Sequence, residues 1–183
     1  MKRKLLFSVV GAVIIFAWQF LSNAMPNFHK SAASYTPAQD SILKVLEGLG
    51  VKEGMYFLRQ ADPSLSFAEQ NAYMEKTQGM SWGVINYHET NTMSMAMNMT
   101  RGFLVCLVIS FLLFWIFLQQ KTPTLMNRIL LSLAIGIIGF FFVPYTNFIW
   151  YKAPDIFAYF ADGIVPWIIL GFIGHKMAPA KEA

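Results

Sequence analysis

The sequence predicts an all-α membrane protein: four transmembrane helices with a small α-rich extracytoplasmic cap that has room for one short hairpin. Three observations predict it. The 183 residues are 56% hydrophobic and only 13% charged, against about 25% charged in a typical soluble domain. The apolar residues gather into blocks that approach the ~20 residues a helix needs to cross a bilayer. One long, more polar stretch, residues 22–91, separates the first block from the others. The net charge of +4 is small and dispersed, with no basic run long enough to suggest nucleic acid as a partner. The expected partners are the lipid bilayer and other membrane protein subunits.

The first block, "LLFSVVGAVIIFAWQFL" at 5–21, follows Met1-Lys2-Arg3-Lys4. A basic start and an apolar run are also the marks of a signal peptide. The length of the run and the bulky Trp18 near its end argue for an uncleaved first span. Trp18 then sits at the level where interfacial aromatics gather. The small residues of "SNAMP" near Ala24 are the features that favour cleavage instead.

Residues 22–91 read as the extracytoplasmic region. In "SYTPAQDSILKVLEGLG", Thr36 suits a helix N-cap and Pro37 the first helical position. Ile42, Val45, Leu46 and Leu49 recur at helical spacing, and Gly48 and Gly50 mark the end. "GMYFL" at 54–58 reads as a short strand. Ser66 with Glu69 three residues later forms a capping box, which opens a helix over 67–77. "MSWGVINYH" is a second extended piece. Alone, a unit this small is marginal, because it buries too little surface.

The second span is expected over 92–118, with Asn91 as its N-cap. A cytoplasmic loop at 119–128 carries Lys121 and Arg128, and the third span covers 129–143, ending at Pro144. An outer aromatic loop at 144–155 includes Trp150 and Tyr151. The fourth span covers 156–174, and a polar tail closes the chain at 175–183. Four spans put both termini on one side. That side carries Lys2, Arg3, Lys4, Lys121, Arg128, Lys176 and Lys181, nearly all beside span ends. Basic residues in short flanks mark the cytoplasm, so both termini are expected there, in a bacterial inner membrane.

Few residues offer chemistry. Asp162 lies about seven residues past the start of the fourth span, ~10 Å along a helix. An intramembrane carboxylate is costly and is a functional hypothesis by default. Pro166, four residues on, removes the backbone bond to the Asp162 carbonyl. A kinked helix with an acid at the kink can hold an ion or a proton. The alternative is an interfacial acid or helix cap, paired with Arg101 or Lys152. His29, His88, Met93 and Met97 form a second candidate, since imidazole and thioether suit copper. The methionines at 93, 95, 97 and 99 share one face only on a strand. On a helix, a step of two turns about 200° and splits them. The expected helical run into the second span therefore favours packing, for which flexible methionine is well suited.

Cys106 is single and apolar in context, so a packing role is expected. Asn98-Met99-Thr100 matches a glycosylation acceptor beside the membrane surface. Ser132 and Gly136 make a small-xxx-small pair that allows close helix packing, within this chain or with a partner. No phosphate-binding loop, H-E-x-x-H or nucleophile-elbow pattern is present. No enzymatic activity and no cofactor are expected.

Three stretches carry a likeness to known proteins: "IIFAWQFLSNAMPNFHKS", "EGMYFLRQADPS" and "VPYTNFIWYKAPDIFAYFADGIVPWIILGFIGHKM". Together they resemble a family of small, uncharacterised bacterial four-helix integral membrane proteins. That family shares a Trp near the end of span one followed by Pro and His, an outer-loop strand, and an aromatic turn before the last span. In the strand, Arg59 replaces the family's Pro. The resemblance implies the four-span topology and carries no activity with it. The functional expectation is a structural or accessory membrane protein, a subunit of a larger complex. The alternatives are a metal or haem protein using the outer His and Met, and an ion- or proton-coupled transport component using Asp162.

Overall fold

A computed structural model describes residues 2–25, 27–121 and 123–178. The chain divides into two compact units, residues 35–92 and the rest. The larger unit contains four helical segments long and apolar enough to cross a membrane: Lys2–Ala24, Met95–Phe117, Leu125–Tyr151 and Ile156–Met177.

The first segment is α1 (Lys2–Ala24) and the second is α4 (Met95–Phe117). The third joins α5 (Leu125–Phe140) to α6 (Thr146–Tyr151) through a π-helical turn at Phe141–Tyr145. The fourth consists of α7 (Ile156–Asp162) and α8 (Val165–Met177). Helix α1 packs on α4, α5 packs on α7 and α8, and α1 also meets α7 and α8. The core between them contains Phe7, Ile15, Cys106, Leu113, Phe114, Phe117 and Leu170. The Phe7 ring lies 4.9 Å from Phe114 and meets Phe117 edge-on at 6.0 Å.

Lipid tails are as apolar as leucine, so helices in a membrane associate through close packing and interhelical hydrogen bonds. Small residues supply the closeness here. A Cβ on Gly136 would lie 2.2 Å from the Gly163 carbonyl oxygen and 2.3 Å from the Trp167 ring. A Cβ on Gly171 would meet Ser132 Oγ at 2.5 Å and Ile129 Cα at 2.6 Å. The wholly buried Ser132 donates its hydroxyl to the Trp167 carbonyl at 2.7 Å. The Ser132–Gly136 pair is therefore used within the chain, between the third and fourth segments.

Three boundaries differ from the sequence reading. The third span does not end at Pro144, and the expected outer loop at 144–155 is helical through Tyr151. Proline lacks an N–H and its ring collides with the carbonyl four residues back. The π turn relieves both problems by widening the helix by one residue. The Phe141 carbonyl then accepts the Thr146 hydroxyl at 3.1 Å. The second span starts at Met95, with Ser94 as N-cap in place of Asn91: its side chain accepts the Met97 amide. The third span begins four residues early, at Leu125, where Thr124 Oγ1 accepts the Asn127 amide. Arg128 is thus one turn inside a helix and outside the connecting loop.

The smaller unit holds α2 (Gln39–Gly48), β1 (Gly54–Leu58), α3 (Phe67–Lys76) and β2 (Gly83–Tyr87). The strands pair antiparallel, Gly54 opposite Tyr87 and Leu58 opposite Gly83, with α3 in the connection between them. The Ser66–Glu69 capping box forms as expected. Thr36 is not the cap of α2, which has no side-chain cap bond; its hydroxyl accepts the Ala38 amide in the preceding turn. Gly50, at φ +66°, ends α2, and the Val51 amide reaches back to the Leu46 carbonyl. Phe57 stacks on Trp82 at 5.4 Å. Tyr87 is buried, while Ile42, Val45 and Leu49 on α2 are exposed.

The tail beyond Ala178 lies outside the described residues.

Candidate functional site

Asp162 is the last residue of α7, and the fourth segment breaks directly after it. Pro166 cannot donate to the Asp162 carbonyl, and Gly163 sits against the Gly136 carbonyl. The break aims the carboxylate at α1. There it meets three donors. Trp18 Nε1–H donates to Oδ1 at 2.8 Å, and the Ser22 hydroxyl donates to the same oxygen at 2.7 Å. His29 Nε2 lies 2.9 Å from Oδ2. An ionised carboxylate only accepts, so Nε2 carries the hydrogen in that pair.

The donors converge for local reasons. Trp18 and Ser22 are four apart and share one face of α1. After α1 the chain folds back: the Phe28 amide donates to the Ser22 carbonyl at 2.8 Å, and Asn27 takes a left-handed φ of 56°. Phe28 packs on Trp18, and His29 packs edge-on against Tyr159 at 4.6 Å. The His29 side chain is 5% exposed and that of Asp162 is 24% exposed. Burying a carboxylate is tolerable only when its oxygens are hydrogen-bonded, and here both are.

The order of contacts limits the chemistry. In a hydrolytic triad the imidazole stands between hydroxyl and carboxylate and takes the hydroxyl proton. Here the carboxylate stands between the hydroxyl and the imidazole. Ser22 is held as a donor to Oδ1 of Asp162, and the His29 ring is engaged on the other carboxylate oxygen, Oδ2.

A second ionisable group is buried at the other end of the helical unit. Arg128 is fully buried, and its guanidinium donates to the carbonyls of Gly174 and Ala178. Those carbonyls lie at the C-terminal end of α8, where that of Gly174 also accepts the Ala178 amide and where a cation complements the helix dipole. The Phe117 ring lies 5.4 Å from the guanidinium carbon.

The expected partners of Asp162 are corrected. Arg101 is exposed on α4, and Lys152 follows α6 in a left-handed conformation with its ammonium over the Phe148 ring. Neither meets Asp162, whose partners are Trp18, Ser22 and His29. Of the metal candidates, His29 is committed to Asp162. His88 belongs to the smaller unit, where it lines a recess of about 540 Å³ with Glu47, Lys52, Glu89 and Asn91. Lys52 pairs with Glu89 at 3.4 Å. Met93 precedes α4, while Met95, Met97 and Met99 are exposed on its first turns. Helical spacing splits their sulfurs between faces, as expected. Among the described residues no group of three or more His, Cys, Asp or Glu could hold a metal ion.

Trp18, Ser22, Tyr159 and the burial of Arg128 were not legible as parts of a site. The four-residue step from Trp18 to Ser22 at the depth of Asp162 was the signal available. Cys106 is buried as expected, with its thiol 3.7 Å from Gln19 Oε1.

Comparison of the chain with family models, curated proteins and solved structures returned no match.

Proposed function

We propose that this chain is a structural or accessory integral membrane protein, a component of a larger membrane complex, with both termini on the cytoplasmic side of a bacterial inner membrane. One observation carries the reading: the acid and the base that lie within the helical unit, Asp162 and Arg128, are both occupied by groups of the chain itself. Asp162 holds Trp18, Ser22 and His29, and Arg128 holds the end of α8. Such contacts fix helices relative to one another. Much of the surface left over is apolar, and the third segment is the least covered of the four, with Ile138 and Phe142 66% and 78% exposed. A neighbouring helix or lipid can cover it. The orientation rests on the short basic flanks, with Lys2, Arg3, Lys4, Lys121 and Lys176 at one end.

The test is native pull-down from membranes in mild detergent with mass spectrometry. The reading expects one or more membrane proteins at fixed stoichiometry. A monodisperse chain without companions contradicts it.

A second reading has a specific observation in its favour. The Asp162 carboxylate is partly accessible and sits beside an imidazole, a pair that can carry a proton. It expects Asp162→Asn to abolish a gradient-driven flux in vesicles. An unchanged flux removes it.

A further inference from the structure

We infer that the groove between α1 and α4 is a binding site for one anionic glycerophospholipid. The groove has a volume of about 570 Å³ and is framed by Lys4, Leu5 and Ser8 on α1 and by Leu107, Val108 and Phe111 on α4. That volume falls within the range of small-molecule sites. Its chemistry is graded along its length. Leu5, Val108 and Phe111 are exposed and apolar. The one hydroxyl, on Ser8, is already donated to the Lys4 carbonyl at 2.8 Å. The walls therefore ask for hydrocarbon and offer no unused polar group.

The mouth is different. Lys4 stands there, with Lys2 and Arg3 just before it. Neither α1 nor α4 contains an aspartate or glutamate. Lys121, in the connection after α4, adds to the same sign. Among the described residues, the side-chain contacts between basic and acidic groups are His29–Asp162 and Lys52–Glu89, and neither involves Lys4. An acyl chain in the groove and a phosphate at Lys4 match both ends at once. Basic recesses between membrane helices take anionic headgroups in this manner. A neutral phospholipid satisfies the walls and leaves the ammonium uncompensated.

The experiment is native mass spectrometry of the full chain released from nanodiscs of equimolar phosphatidylglycerol and phosphatidylcholine. The wild type is expected to retain one phosphatidylglycerol about fivefold over phosphatidylcholine, the factor typical of one basic residue near a membrane surface. Lys4→Gln should remove that preference, and Lys4 is exposed, so its replacement leaves the packing alone. Val108→Trp should fill the groove and remove retention of both lipids. Equal retention of the two lipids by the wild type overturns the inference. So does Lys4→Gln behaving as wild type. If Val108→Trp instead turns an oligomer into a monomer with lipid counts unchanged, the groove belongs to a second copy of the chain and the lipid site is refuted.

Discussion

The two ends of the helical unit solve one problem in opposite ways. Each holds an ionisable group inside a largely apolar unit, half-buried at one end and fully buried at the other. At one end the group is an acid, Asp162, held by side chains from α1 and from the turn after it. At the other it is a base, Arg128, held by backbone carbonyls of α8. The acid ties α7 to α1 and to the turn after α1, with His29 standing 133 residues away. The arginine finishes a helix terminus that any donor could finish. The acid end should therefore be the more sensitive to substitution, since removing one carboxylate strands three donors.

The largest expected effect is at Asp162. Asp162→Ala should destabilise the helical unit by about 3 kcal/mol, the upper end for hydrogen bonds to a charged group, read by denaturant titration in detergent. Arg128→Met should cost less, about 1–2 kcal/mol: the Gly174 and Ala178 carbonyls lose the guanidinium, but that of Gly174 keeps the Ala178 amide, and relief from burying a charge offsets part of the loss. If Arg128→Met proved the costlier of the two, the contrast between the ends would be reversed. Ser22→Ala should cost about 0.6 kcal/mol, the average for a hydrogen bond between membrane helices, since Trp18 still serves the same Oδ1.

The smallest effect lies in the other unit and serves as a control. The Ser66 hydroxyl and amide hold the Glu69 carboxyl below its ordinary value of 4.5. The Ser64 amide and hydroxyl hold Asp62 below its ordinary value of 3.8. A depressed carboxyl stabilises the fold above its unfolded pKa and loses that contribution as pH falls through the folded value. The protection of the Ser66 amide, taken relative to its intrinsic exchange rate at each pH, should thus fall slightly below about pH 4.5, and that of the Ser64 amide below about pH 3.8, with no such change between pH 5 and 8.

The spans were legible in the sequence because crossing a bilayer demands a long apolar run. The Ser66–Glu69 box was legible because it is local. Pro144 misled because proline ends most helices, and a π turn that absorbs it leaves no mark in composition. Arg128 misled because a basic residue beside a span reads as a flank charge. Its burial depends on Gly171 and Gly174 letting α8 come close, and on Phe117 of a third helix. Asp162 could be singled out by its place in an apolar run, but its partners could not. The pairing with His29 requires the chain to turn back after α1, where Asn27 is left-handed and the Phe28 amide bonds to the Ser22 carbonyl.

The most direct test of the account is a double-mutant cycle between His29 and Asp162, read as unfolding free energy in detergent. With His29→Ala, Asp162→Asn and the pair compared to wild type, the account predicts a coupling of about 1 kcal/mol or more, as for residues in one hydrogen-bonded network. Strictly additive effects, with no coupling, would contradict it.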